Sequence, residues 1–514
     1  MKAIIIGGGI GGLATAAMLA KSGYDVTLLE KNEQLGGRAS VRKIGGFTFD
    51  MGPSWYLMPE IFEHWFELMG EKVSDHLNLV RLEPSYRVIF EGRSKPVDIY
   101  SDLERDSKTV EALEPGAAKK LKAYLAVSKK KYEIATQRFL YKNYSGLTDF
   151  LAVDMITEGP KLSIFSSMNT YVSRHFKTIE MQQLLQYTLV FLGSSPYSTP
   201  ALYSLMSHVD FVQGVYYPMG GFGSLVNAMV TIGRQAGATY RTDTPVARIL
   251  ASNGQATGVV LESGETIQAD IVISNTDPYH TETKLLAPKE RSYSDRYWAK
   301  RTLAPSALLI YLGVEGRVPE LTHHNLRFSR DWRHNFKQIF DEPAWPDNPS
   351  IYISAASVTD PTVAPKNHEN LMILVPIAAK LNYTEAELES YSEKVITLLA
   401  HEFKIPDLGS RIVVKELFSV KDFESRYNAQ GGTALGLAHT LFQTAVFRTD
   451  TVSKKLSNLY YVGASTNPGI GVPICLISAE LVYKRLIGDT SANPLKSLHQ
   501  IPQSIRSSAK REVS

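Results

Sequence analysis

Cysteine is nearly absent: Cys475 is the single thiol in 514 residues. That excludes an intrachain disulfide and a Cys-rich zinc site, fits a reducing compartment, and leaves no metal to be called for. A charge bias is also missing, since 55 Lys and Arg stand against 52 Asp and Glu for a formal charge of +3. Such a near-neutral chain gives no support for a nucleic-acid partner. There is no internal repeat or low-complexity tract, and no unbroken apolar run that could span a bilayer. Two long uncharged stretches come nearest, 181–209 and 456–479. The first is broken by Ser194-Ser195-Pro196 and Pro200, the second by Gly463, Pro468, Gly469, Gly471 and Pro473. Neither makes a continuous lipid-facing helix of about 20 residues. What remains is an ordinary globular composition, 44% apolar and 21% charged, on a chain long enough for two joined domains.

The most informative stretch is the first fifty residues. A buried run, 3–6, breaks into Gly7, Gly9, Ile10, Gly11 and Gly12, and 13–21 reads as an Ala/Leu/Met-rich helix. This is G-x-G-x-x-G at a strand-to-helix junction. The first glycine allows the tight turn, the second lets backbone approach a pyrophosphate, and the third lets helix pack on strand. The helix N-terminus adds free N–H groups and positive dipole. A second strand, 25–29, ends in Glu30, eighteen residues after Gly12, where an acid would hold a ribose 2′-hydroxyl and repel a 2′-phosphate. Lys31 follows it. Lys2 ahead of an apolar run ending Ala14-Thr15-Ala16-Ala17 mimics a secretory signal, but the glycines of 7–12 make a poor apolar core, so an intact βα unit is expected. Next come Gly36-Gly37-Arg38, a second close backbone approach beside a guanidinium suited to pyrophosphate oxygens, and Asp50-Met51-Gly52-Pro53. The Gly-Gly-Arg segment behind the βαβ unit resembles FAD enzymes and points to FAD.

Along the rest of the chain, 59–69 has helical apolar spacing and reads as core. Strands are expected at 86–90 and 97–100, and a long helix at 114–140 started by Pro115. Its lysines 119, 120, 122, 129, 130 and 131 read as a solvated face, with anionic lipid as the alternative. The apolar stretch 146–205 is either core or the wall of a long cavity. Strands at 239–242, 245–250, 256–261, 266–268 and 271–274 are expected to complete the nucleotide-binding sheet, with Val246 near the adenine. Further strands at 308–314, 351–355, 371–377 and 410–418 imply a second sheet, with a helix at 385–402. The fold class is therefore α/β: a Rossmann-like FAD-binding domain with an interleaved substrate domain of mixed sheet and apolar helices. The pieces 1–58, 215–290 and 455–488 form the first. The pieces 59–214 and 291–454 form the second, which also meets the membrane, and 489–514 is a flexible tail.

Near the C-terminus, 458–473 reads as a strand ending in small residues, then a turn and a helix start. Gly463 permits close approach, while Gly471, Val472 and Pro473 open the helix whose N–H groups can face a flavin. These motifs, with Tyr217-Pro218-Met219-Gly220-Gly221 between them, resemble in order and separation the bacterial-type phytoene desaturases of the amine oxidase-like flavoprotein superfamily, over residues 1–487. Family members commonly carry His-Pro-Gly where this chain has Asn467-Pro468-Gly469.

The resemblance implies an FAD-dependent carotenoid desaturase that transfers hydride from phytoene or a related apolar polyene to flavin N5. It implies a quinone or oxygen as electron acceptor and a cytoplasmic enzyme held peripherally on the membrane surface. Alternatives within it are a C30 or 3,4-desaturase, an isomerase or a saturase; outside it stand a flavin amine oxidase-like enzyme and a prenyl-binding escort-like protein. A two-nucleotide reductase would need a second fingerprint and a cysteine pair. Asp149, in Leu147-Thr148-Asp149-Phe150-Leu151, is a candidate base if burial raises its pKa, against the plainer role of helix cap. Cys475 reads as a buried structural thiol.

Overall fold

The computed structural model describes residues 1–144, 163 and 165–500. Its first layer is a five-stranded parallel sheet in the order Leu459–Tyr461, Ile271–Ser274, Lys2–Ile6, Asp25–Leu29, Thr239–Arg241. Lys2–Ile6 is central and its neighbours diverge to opposite sides, which opens a crevice at the carboxyl ends of the strands. The N-terminal helix, Ile10–Lys21, is buried from Ile10 to Ala20. It lies between the helix Phe222–Gln235 and the final helix, Val472–Ile487, which explains an apolar composition with no polar face.

The strands expected to complete this sheet divide. Thr239–Arg241 and Ile271–Ser274 join it, but Val246–Ser252, Gln255–Leu261 and Thr266–Gln268 form a separate antiparallel sheet. The reason is local. Asn253 and Gly254 sit at φ 50° and 74°, a two-residue turn that can only return the chain antiparallel.

The second layer is a seven-stranded mixed sheet, in the order Ile412–Phe418, Ser306–Glu315, His368–Ile377, Ile351–Ser354, His324–Phe328, Tyr86–Phe90, Val97–Ile99. Period-two alternation splits Ser306–Glu315 between two cores. Leu308, Ile310, Leu312 and Val314 pack with Leu388, Val395, Ile396 and Leu399 of the helix Glu385–Glu402. Ala307, Leu309 and Tyr311 face the larger core shared with the nucleotide-binding layer.

Three further expectations need correction. The lysine-rich helix starts at Ala117, not at Pro115, because Gly116 stands before it at φ 80° and a separate helix ends at Leu113. Lys131 is not on its solvated face but buried, donating to Ala201 O at 3.0 Å and Ser204 Oγ at 2.9 Å. Within the segment expected as a flexible tail, 489–500 is tied down. Leu495 is buried, its N–H donating to Glu480 Oε1 at 2.6 Å, and Tyr483 OH exchanges hydrogen bonds with the backbone of His499. Among the described residues no helix is long and apolar enough to cross a membrane.

Ile310 is fully buried at the centre of the second sheet. Ile310→Ala is expected to cost about 2–5 kcal/mol by cavity formation; a loss below about 1 kcal/mol in denaturant titration would contradict this packing.

Candidate functional site

The two layers enclose one continuous cavity of about 1260 Å³. Its first half is backbone. Gly7, Gly9, Ile10, Gly11, Gly36, Gly37, Arg38, Gly52, Pro53, Gly463, Gly471, Val472 and Pro473 all line it, as do Glu30, Lys31 and Val246. Of the residues singled out by sequence, Gly12 stands apart, since it lies behind the wall rather than in it. A Cβ there would run into Gly7 O, so its role is the close helix-on-strand packing expected of the third glycine. Asp149 lies outside the described residues.

The glycines converge on a side chain that sequence reasoning missed. A Cβ on Gly9 would stand 2.9 Å from Asn275 Nδ2, and one on Gly11 2.8 Å from Asn275 Oδ1 and 3.2 Å from Gly463 Cα. A Cβ on Gly37 would lie 3.1 Å from Gly9 Cα. Asn275 follows Ile271–Ser274 and donates through Nδ2 to Gly7 O at 3.2 Å. Its signal was available: a polar triplet, Asn275-Thr276-Asp277, at the carboxyl end of a buried parallel strand.

The polar groups of this half are oriented before any ligand arrives. Glu30, at the end of Asp25–Leu29, accepts from Gly8 N–H at 2.7 Å through Oε2 and from Asn32 N–H at 2.9 Å through Oε1. Lys31 is clipped to the far wall by Asn428 Oδ1 at 2.9 Å and by Ser425 O. Arg38 donates from Nη2 to Thr433 O at 3.3 Å, while its buried Nε has no partner. Burial pulls its pKa down against the opposing pull of Asp277, so an anion is wanted there. Two helices present their first turns to the cavity, capped by Gly9 and Gly471, and neither has a capping side chain or an acid in its first turn. A cradle closed to any Cβ, a guanidinium whose buried Nε has no partner and two helix starts without capping side chains together fit a dinucleotide pyrophosphate and an attached ring.

The second half is apolar. The inner face of the seven-stranded sheet contributes Leu309, Leu326 and Leu374, and the helix Trp332–Phe340, not anticipated from sequence, adds Trp332 and Phe336. The apolar stretch left open between core and cavity supplies both. Leu184, Leu185 and Leu189 are buried in the core, whereas Tyr187, Val190 and Phe191 line the cavity. Trp55 closes this side by stacking on His324, with centroids 4.4 Å apart. Ile61, Phe62, Trp65 and Phe66 are core and do not line it. Cys475 lines the cavity, and burial pushes its thiol up to about 12, which keeps it an inert neutral group. Among the described residues no cluster of three His, Cys, Asp or Glu side chains could hold a metal.

Residues 10–486 match the model of the flavin containing amine oxidoreductases. The chain is 47% identical to the carotenoid 3,4-desaturase of Haloarcula japonica, covering 94% of this chain and 98% of that protein. It is 35% identical to the zeta-carotene-forming phytoene desaturase of Myxococcus xanthus, over 95% and 94%. Among solved structures, putrescine oxidase bound to putrescine shares the fold with a TM-score of 0.62 at 14% identity, covering 95% of this chain and 99% of that one. An oxidoreductase from Methanosarcina mazei does so with 0.61 at 17%, over 93% and 99%.

Gly12→Ala is expected to prise the N-terminal helix off its strand and destabilise the protein by about 1–3 kcal/mol. Equal denaturation midpoints for variant and parent would show that the helix has room to spare.

Proposed function

The chain belongs to the flavin containing amine oxidoreductase family, within which its curated relatives are carotenoid desaturases, and we propose that the two halves of the cavity hold FAD and a long polyene end to end. The protein is an FAD-dependent oxidoreductase acting on CH–CH bonds of carotenoids. The observation that carries the reading is the continuity of the cavity: one space of about 1260 Å³ runs from the glycine cradle to a wall built, among the described residues, on Trp55, Leu309, Leu326, Leu374 and Phe336.

The bound FAD would be held by the Gly7–Gly11 turn and Arg38 at its pyrophosphate, Glu30 at a ribose, Val246 near the adenine, and Gly463 with the Gly471–Pro473 helix start at the ring. When bound, it supplies the oxidant that takes a hydride from an allylic carbon. The protein's own residues do the rest. A hydrocarbon offers neither charge nor hydrogen bond, so the apolar wall binds it by burial at about 25 cal/mol per Å². The Val472–Ile487 helix start would stabilise negative charge at the ring end of the site. Tyr187, fixed by donating to the buried Asp210 Oδ1 at 2.9 Å, keeps its aromatic face on the channel and its hydroxyl out of it.

The higher identity to a carotenoid 3,4-desaturase, 47% against 35%, favours a substrate with a longer conjugated run than that of phytoene. Such a molecule dissolves in lipid, and three features support a peripheral membrane position. Phe165, Phe442 and Phe447 are exposed at 88%, 70% and 39%. Thr444, between the latter two, holds the cavity-lining Tyr203 through a 2.8 Å hydrogen bond. Lys129 and Lys130 are exposed on the helix whose Lys131 grips the same 201–204 segment. Aromatic side chains flanked by lysines suit an anionic lipid surface.

Two outcomes are expected. Anaerobic mixing of the FAD-loaded protein with carotenoids in liposomes should bleach the flavin and shift the polyene absorption to longer wavelength, faster with a partly desaturated carotenoid than with phytoene. A quinone or oxygen should restore the oxidised spectrum, and a flavin that stays oxidised with every polyene offered would refute the desaturase reading. Replacing Phe442 and Phe447 together by serine should lower sedimentation with anionic vesicles at least fivefold while leaving bound FAD unchanged; undiminished sedimentation would move the membrane face elsewhere.

A further inference from the structure

Removing two hydrogens from neighbouring carbons leaves an unanswered question of proton balance. One hydrogen departs with its electron pair to the oxidised flavin. The other leaves as a proton, its bonding pair becoming the new π bond, and that proton needs an acceptor in a wall that is almost wholly hydrocarbon.

Among the described residues, most polar atoms that open on the apolar half are already engaged, and the one unpartnered nitrogen of Asn335, Nδ2, is an amide donor that takes up no proton. Tyr187 OH is spent on Asp210, Tyr203 OH is paired with Thr444 Oγ1, and Ser54 Oγ is paired with Tyr352 OH at 2.6 Å, itself bound to His324 Nδ1 at 2.8 Å. His439 differs. Its Nδ1 lies 2.9 Å from Leu192 O. A carbonyl oxygen only accepts, so Nδ1 carries the hydrogen and Nε2 presents a lone pair. The ring is anchored further by its own backbone N–H, which donates to Ser194 Oγ at 2.6 Å. Nε2 rests against the backbone of Gly469, where a Cβ would run into it, two residues before the Gly471 start of the final helix. His439, Gly469, Ile470 and Gly471 all line the cavity, and no hydrogen bond to Nε2 is formed among the described residues.

The geometry points to His439 Nε2 as the catalytic base that takes the proton from the carbon next to the one losing hydride, at the junction of the flavin and polyene halves. This rests on the desaturase reading above. Burial and the Arg448 guanidinium push the imidazole pKa down to about 3, so the ring is neutral and its lone pair free. A carbon next to an electron-deficient centre is a far stronger acid than an ordinary C–H, so a weak base suffices. The same environment disfavours the imidazolium, whose proton leaves with the two electrons when a quinone or oxygen is reduced.

The test uses the full chain and has two readouts. In histidine-labelled protein without flavin, nitrogen NMR should find His439 as the neutral Nδ1–H form throughout pH 5–8; an Nε2–H form would overturn the assignment. In FAD-loaded protein, His439→Asn keeps a donor for Leu192 O but loses Nε2. It should slow flavin bleaching by a partly desaturated carotenoid about 10²–10⁴-fold, the span usual for a general base, with the Kd for FAD within threefold of the parent. Bleaching at the parent's rate would overturn the proposal, and so would loss of FAD, which would make His439 a support of the cofactor pocket. Failure of the desaturase reading is seen separately, as a parent protein that no polyene reduces, and the proposal then falls with it.

Discussion

The whole arrangement depends on backbone meeting backbone around Asn275. Gly9 and Gly11 come from one end of the chain and Gly463 from the other, yet a single methyl on any of them would lie within 3 Å of that side chain. Close packing there does two things at once. It brings the starts of the first and last helices onto one crevice, so that their dipoles add at the ligand. It also joins residues more than 450 positions apart, which is why the chain must return to the parallel sheet after building the second layer. The discontinuous order of strands in the parallel sheet is the topological record of that requirement.

The second layer answers the opposite need. A sheet with one face against the helix Glu385–Glu402 and the other turned inward gives a wall whose side chains are set by alternation alone. Leu309, Leu326 and Leu374 occupy the inner register of adjacent or neighbouring strands, and the wall is stiff because each strand is hydrogen-bonded on both sides. Stiffness matters more here than for a polar substrate, because a hydrocarbon can be placed only by shape.

The nucleotide half was legible in sequence because its constraints are local. Gly7 to Gly12, Glu30 and Gly36-Gly37-Arg38 fall within forty residues, and each has a backbone reason for its identity. Gly463 and Gly471 were legible for the same reason. His439 was not, since it meets Leu192 across 247 positions, and Asn275, which meets Gly7 across 268, shows locally only a polar triplet at a strand end and not the contact it makes. Strand-like composition alone does not say which sheet 246–268 joins; the Asn253-Gly254 turn, which folds these strands on one another, does. Lys131 shares its helix face with solvated lysines in sequence, and the packing of the 201–204 segment is what takes it inside.

The division of charge between the halves gives the cavity its direction. Glu30, Lys31, Arg38, Asp277, His280 and Lys284 all line the nucleotide end, where a phosphate-bearing ligand meets partners for its charge. Among the described residues, the polyene end offers hydroxyls engaged by partners in the wall, the Asn335 amide and a neutral imidazole held near the boundary. An allylic carbon giving up hydride develops positive charge, which the conjugated run spreads and loss of the neighbouring proton removes. A charged base in the apolar wall would carry a desolvation cost in every resting molecule. A neutral imidazole fixed by one carbonyl avoids that cost until the moment of transfer, so the same lack of charge that admits the hydrocarbon also confines its chemistry to the boundary between the halves.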